Sequence, residues 1–172
     1  ANVGVGTVFV LLTARHLGPG GRGEITIAFT LAWATTNVAD LGTSTSGRIN
    51  LLSPDGDVSV SDVVSLTAAL LPLQVVLSTV AVGVLSMTSL HLSLGFSVAV
   101  VALSVATMMF NSAVFLLYGL RRYRDVLVTE ASLAGVQIIV LASLMVSGRL
   151  TTTSAVVTMA VGSVVGTLWL VW

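Results

Sequence analysis

The sequence predicts an all-α fold, a polytopic helix bundle dissolved in a membrane. Three observations carry this expectation. Only 8% of the 172 residues are charged while 55% are hydrophobic, against about 25% charged in an ordinary soluble domain. Charges this sparse do not cover a water-facing globule. The apolar residues also fall in runs close to the ~20 residues that a spanning helix needs, and the stretches between them are short and hold the charges. Val, Ile and Thr are frequent, which in water favours strands. The runs nevertheless exceed a barrel strand of about ten alternating residues, and lipid offers the backbone only helices or closed barrels. Run length therefore selects helices.

About six segments follow in order. Asn2 to Ala14 is too short to span and reads as the back half of a truncated helix. Next come Ile25 to about Ser44, Val63 to Leu85, Leu94 to Leu120, Val126 to Val146 and Thr152 to Trp172. The whole chain is thus one helical lobe, with loops at Arg15–Glu24, Thr45–Asp62, Ser86–Ser93, Arg121–Asp125 and Ser147–Thr151. Gly18-Pro19-Gly20-Gly21 is expected to stop a helix, and Glu24 then suits the start of the next one. Ser53-Pro54-Asp55-Gly56 reads as a turn with Pro at its second position. Ser61 and Asp62 are candidate caps for the third segment, and Pro72 is expected to kink it. The start at Ala1 and the stop at Trp172 inside an apolar run lead us to expect a piece of a longer protein.

Charge placement sets orientation. The seven cations are all Arg, balanced by seven acids, so no cationic field exists for nucleic acid and no tail is charged. Arg121, Arg122 and Arg124 form one compact cluster after a span, and the positive-inside rule puts them in the cytoplasm of a multi-pass cell-membrane protein. Every formal charge except Asp40 is read as lying in a loop or within a few residues of one.

Polar residues inside the runs mark the faces that matter. Thr26, Thr30, Trp33, Asn37, Asp40 and Ser44 recur at steps of four and three, which places them on one face of the second segment. Thr67, Gln74 and Ser78 share a face of the third; Ser97, Ser104, Thr107, Asn111 and Tyr118 share one of the fourth. Gln137 and Ser143 are the fifth segment's contribution. An ionisable group inside a span faces a cavity or a partner by default, which singles out Asp40. Its distance of about 24 Å from Glu24, at about 1.5 Å per residue, also allows it to end the helix. Thr30, Asn37, Asp40, Gln74 and Asn111 are the cavity candidates. Ser154, Thr158, Gly162 and Gly166 form a small-residue ridge suited to close helix packing.

Enzyme chemistry finds little support. Cys is absent, so thiolate sites and Cys nucleophiles are excluded. A rhomboid-type serine protease needs a His within the bundle, but His16 and His91 fall in predicted loops, and no Gly-x-Ser-Gly motif occurs. Asp55-Gly56-Asp57 reads as an acidic turn. No zinc-protease motif, phosphate loop or paired carboxylate is present, so neither a metal nor a cofactor is expected.

One stretch carries a resemblance. Ala14-Arg15-His16-Leu17-Gly18-Pro19-Gly20-Gly21-Arg22-Gly23-Glu24, followed by an apolar run and Ala39-Asp40-Leu41-Gly42, resembles the start of the polysaccharide biosynthesis (oligosaccharide flippase) family. That family belongs to the multidrug/oligosaccharidyl-lipid/polysaccharide exporter superfamily. Tyr118-Gly119-Leu120-Arg121-Arg122-Tyr123 is similar to the family's fourth helix running into a basic cytoplasmic loop. Gly20 departs from the pattern, standing where the family often has an acid. The resemblance implies one lobe of a two-lobe, alternating-access transporter, whose partners are membrane lipid, a polyprenyl-diphosphate-linked oligosaccharide and a second lobe of the same chain. It makes Arg15, Gly18, Arg22, Gly23 and Glu24 a structural loop motif. Arg48, Arg121, Arg122 and Arg124 become headgroup contacts or topology anchors. The alternatives are a cation-coupled drug exporter of the same superfamily, with a more apolar cavity and one or two acids, and, more remotely, an intramembrane serine protease.

Overall fold

A computed structural model describes residues 2–52, 59–87 and 92–171, with side chains from residue 16 onward except those of 48, 51 and 52. The described chain is helical with no strand: α1 (Asn2–Asp40), α2 (Thr43–Leu52), α3 (Val60–Ser86), α4 (Leu94–Gly119), α5 (Tyr123–Val146) and α6 (Thr152–Val171). Among the described residues, α3, α4, α5 and α6 are long and apolar enough to cross a membrane. The protein is a membrane protein. Residues 19–40 of α1 carry a heavier polar load, from Thr26 to Asp40, and α2 has 10 residues, too few to span.

Two boundaries differ from the sequence reading. The expected loop at Arg15–Glu24 shrinks to a single residue, Gly18, at φ 68° and ψ −175°. That combination is open essentially to glycine. Pro19 then opens the next helical stretch, where its missing N–H costs nothing, and Gly20, Gly21 and Gly23 continue it. The expected loop at Thr45–Asp62 is occupied in part by α2. Leu41 (φ 49°) and Gly42 (φ 77°) turn the chain out of α1. Asp40 then caps the new helix, accepting from the Ser44 backbone N–H at 3.2 Å and from the hydroxyls of Thr43 at 3.0 Å and Ser44 at 2.5 Å.

The later boundaries follow the sequence closely. Ser59, not Ser61, is the N-cap of α3, and it forms a reciprocal capping box with Asp62. The helix runs unbroken through Pro72. Both α4 and α5 end in Schellman motifs: Arg122 N–H reaches the Leu117 carbonyl at 2.9 Å, and Arg149 N–H reaches that of Leu144 at 2.9 Å. The left-handed position is Gly148 in one and Arg121 (φ 59°) in the other. The turn expected at residues 53–56, the acidic run 55–57 and His91 lie outside the described residues.

Packing centres on α4, which touches all five other helices. The main core joins Ala28 and Ala32 of α1, Val82 of α3, Phe96, Val100 and Leu103 of α4, and Val156 and Ala160 of α6. So many alanines let backbones approach closely, and dispersion replaces the hydrophobic drive that lipid cannot provide. Large side chains point outward instead. Val76 and Val80 of α3, Ile139 of α5 and Leu168 of α6 are all more than half exposed, a pattern that lipid stabilises and water would not.

Candidate functional site

Three recesses among the described residues hold Glu130 and most of the candidate polar side chains; another, of about 380 Å³ between α2 and α3, holds Thr43, Ser46, Asn50 and Asp62. The first lies where α1, α4, α5 and α6 meet, encloses about 470 Å³ and is walled mostly by apolar groups, among them Phe29, Trp33 and Phe110. Glu130 supplies its carboxylate, with Thr107, Gln137 and Ser163 as hydrogen-bonding groups. By sequence Glu130 counts among the charges within a few residues of a loop and has no role; the structure sets it in this recess. It lies within α5, about 10 Å along the axis from Tyr123 at about 1.5 Å per residue. Counting residues to the nearest loop hid it; marking its position along the helix reveals it.

The second recess, of about 360 Å³, sits between the start of α5 and the end of α6. Arg122, Arg124, Asp125 and Thr129 line it beside Trp169 and Leu170. Arg122 is held by Asp125 through an N–O contact of 2.6 Å, with both side chains about half exposed. The Tyr118 and Tyr123 rings stack obliquely nearby, at 5.8 Å between centroids. Arg121 takes no part in the lining; its left-handed backbone forms the turn after α4.

The third recess, of about 30 Å³, lies at the junction of α1 with α2, against α4. It brings together Asn37, Asp40 and Asn111, three of the five cavity candidates, with Thr36, Ser44 and Ser112. Asp40 therefore ends α1, caps α2 and lines a cavity at once.

The other two candidates lie elsewhere. Thr30 is exposed on the outer face of α1 and lines none of the three recesses. Gln74 is wholly buried, its Nε2 donating to Thr35 Oγ1 at 3.1 Å and Thr36 Oγ1 at 3.4 Å. Thr36 in turn donates to the Ser104 carbonyl at 3.4 Å. Gln74 Oε1 is buried with no partner among the described residues. Thr35 and Thr36 were absent from the sequence candidates because they sit beside the chosen stripe, and only the position of α3 makes them partners.

Arg22 and Gly23 are exposed and Glu24 is half-buried, and the Arg22 carbonyl accepts the Thr26 hydroxyl at 2.9 Å. The side chains of Arg15 and Arg48 lie outside the described residues.

The chain matches no family model, no curated protein and no solved structure. Chemical inference thus rests on the recesses themselves. The first offers one carboxylate among aromatic faces, the second two guanidiniums at a helix-end rim, the third one carboxylate with amides and hydroxyls beside Met108 and Phe115.

Proposed function

We propose that the chain forms one lobe of a membrane transporter that flips a polyprenyl-diphosphate-linked oligosaccharide by alternating access. The observation that carries this reading is the Arg122–Arg124–Thr129 recess. Basic recesses at the cytoplasmic ends of spanning helices suit phosphate headgroups. Guanidinium forks bind phosphate oxygens by charge-assisted hydrogen bonds, and Trp169 and Leu170 offer an apolar wall for the adjoining chain. Asp125 holds Arg122 in place and leaves Arg124 to supply the net positive charge. The glycine-rich motif resemblance and the bundle of apolar helices point the same way.

The test is a flipping assay. In liposomes carrying the membrane-embedded protein and a fluorescent polyprenyl-diphosphate oligosaccharide, the Arg122→Ala/Arg124→Ala double variant should flip at least tenfold more slowly than wild type. Equal rates would remove the recess from the pathway, and no flipping by wild type would overturn the transporter assignment for this substrate.

A second reading, export of lipophilic cations, is favoured by Glu130. Its carboxylate stands in a mostly apolar recess whose aromatic walls suit a cation. Under that reading Glu130→Gln abolishes efflux of tetraphenylphosphonium from cells, and retained efflux counts against it.

A further inference from the structure

An apolar groove of about 190 Å³ lies between α3, α4 and α6. Its α3 wall runs from Val63 to Leu71, about 12 Å at about 1.5 Å per residue. Met109 and Leu116 of α4 and Val171 of α6 line it too, and the small side chains of Ala68 and Ala113 leave it its room. Val64 and Ala68 are exposed, so the groove opens toward lipid. Its outer end lies in the first turn of α3 and the last turns of α4 and α6. The groove therefore enters from one membrane surface and runs inward along the helices. Its length approaches the ~15 Å that one leaflet contributes to a hydrocarbon core about 30 Å thick.

The lining suits hydrocarbon. Thr67 donates its hydroxyl to the Val63 carbonyl at 2.9 Å, and Thr167 to that of Ser163 at 2.8 Å. Both hydroxyls are thus spent on their own helices, and Ser112 is the remaining polar side chain of the lining. A volume of about 190 Å³ drawn out over this length is as slim as one extended hydrocarbon chain, and a helix about 10 Å across does not enter it.

Arg121 stands where the groove reaches the surface. It comes two residues after the end of α4, in the turn that follows Leu116 and its neighbours. It is exposed and forms no ion pair among the described residues, whereas Arg122 is held by Asp125. Its backbone is left-handed (φ 59°), a conformation that disfavours an L-residue and suits glycine. An arginine kept in such a place points to work for its side chain. Asp62, the acid at the start of α3, accepts from the Ser59 hydroxyl at 2.6 Å and lines the α2–α3 recess. A phosphate beside Arg121 therefore meets an uncommitted guanidinium.

We propose that the α3–α4–α6 groove holds one acyl chain of a resident glycerophospholipid, whose phosphate pairs with Arg121. The groove accounts for the tail, and the strained, unpaired arginine accounts for the head. The lipid is a fixed part of the fold and not cargo. Counting it needs no transported substrate, so this proposal stands or falls separately from the flipping assay.

The experiment releases the protein from phosphatidylglycerol nanodiscs into the gas phase and counts retained lipids by native mass spectrometry. Wild type should keep one phospholipid per chain at collision energies that strip the surrounding bilayer lipid. Ala68→Phe fills the groove from its open side and should lower the retained fraction at least fivefold. Arg121→Gly removes the cation while relieving the backbone, so it should lose the lipid to a similar extent with helical circular dichroism unchanged. Absence of a retained phospholipid, or retention by either variant at the wild-type level, overturns the proposal. Displacement of the lipid by undecaprenyl diphosphate overturns it by making the groove part of the flipping path. A disulfide dimer through Ala68→Cys, in a chain without native cysteine, overturns it by making a second copy the occupant.

Discussion

Gln74 illustrates how burial and hydrogen bonding combine in one side chain. It is fully buried, donates to two threonines and keeps an acceptor without a partner among the described residues. Leaving such an acceptor unmet costs about 1–3 kcal/mol, so a leucine of similar volume replaces it at little loss. Thr35 keeps its bond to the Leu31 carbonyl (2.8 Å), and Thr36 its bond to Ser104. Truncation instead opens a void. We expect Gln74→Ala to lower stability by about 2–4 kcal/mol and Gln74→Leu to stay close to wild type, as read by unfolding in detergent. The polar character of Gln74 was legible in the sequence. Its partners were not, because Thr35 and Thr36 lie at a separation of nearly forty residues.

At the scale of the element, helix ends separate what local chemistry encodes from what it does not. Gly148 ends α5 as a left-handed glycine (φ 67°), whereas the corresponding place after α4 is filled by Arg121 at φ 59°. The glycine nearest that end, Gly119, is spent inside α4, so the left-handed position falls on an arginine two residues later. A left-handed backbone costs an L-residue about 1–2 kcal/mol. Arg121→Gly should therefore raise stability by about 1 kcal/mol and Gly148→Ala lower it by a similar amount, the two shifting the unfolding midpoint in opposite directions. The break at Gly18 was expected from Gly-Pro, and its site is right. Its length was overestimated, since one residue outside helical space and a proline at the next helix start suffice. The helix α2 went unforeseen because its composition is polar and its start depends on the side chain of Asp40.

For the whole molecule, the small-residue ridge of α6 acts inside the bundle. A side chain at Gly162 would run into the Gln137 amide, and one at Gly166 would meet Phe110 at 2.8 Å and Leu133 at 3.0 Å. Gly166→Val should overpack the contact of α6 with α4 and α5 by about 1–3 kcal/mol and lower the thermal unfolding temperature. Gly95→Ala, with open space around the added atom and a helical backbone, should instead raise that temperature slightly. The ridge was visible as a pattern, but which helices it meets was not, because spacing along one helix says nothing about its neighbour. By itself the sequence determined the solvent, the helical class and most helix ends, since hydropathy, run length and capping chemistry act within a few turns of chain. Only the tertiary structure decided that α4 is the centre, that Glu130 stands in an apolar recess, and that Asn37, Asp40 and Asn111 surround one small space. Such groupings arise from packing between helices far apart in the chain, where lipid rewards close fit of small residues and leaves each polar group to find its partner across the bundle.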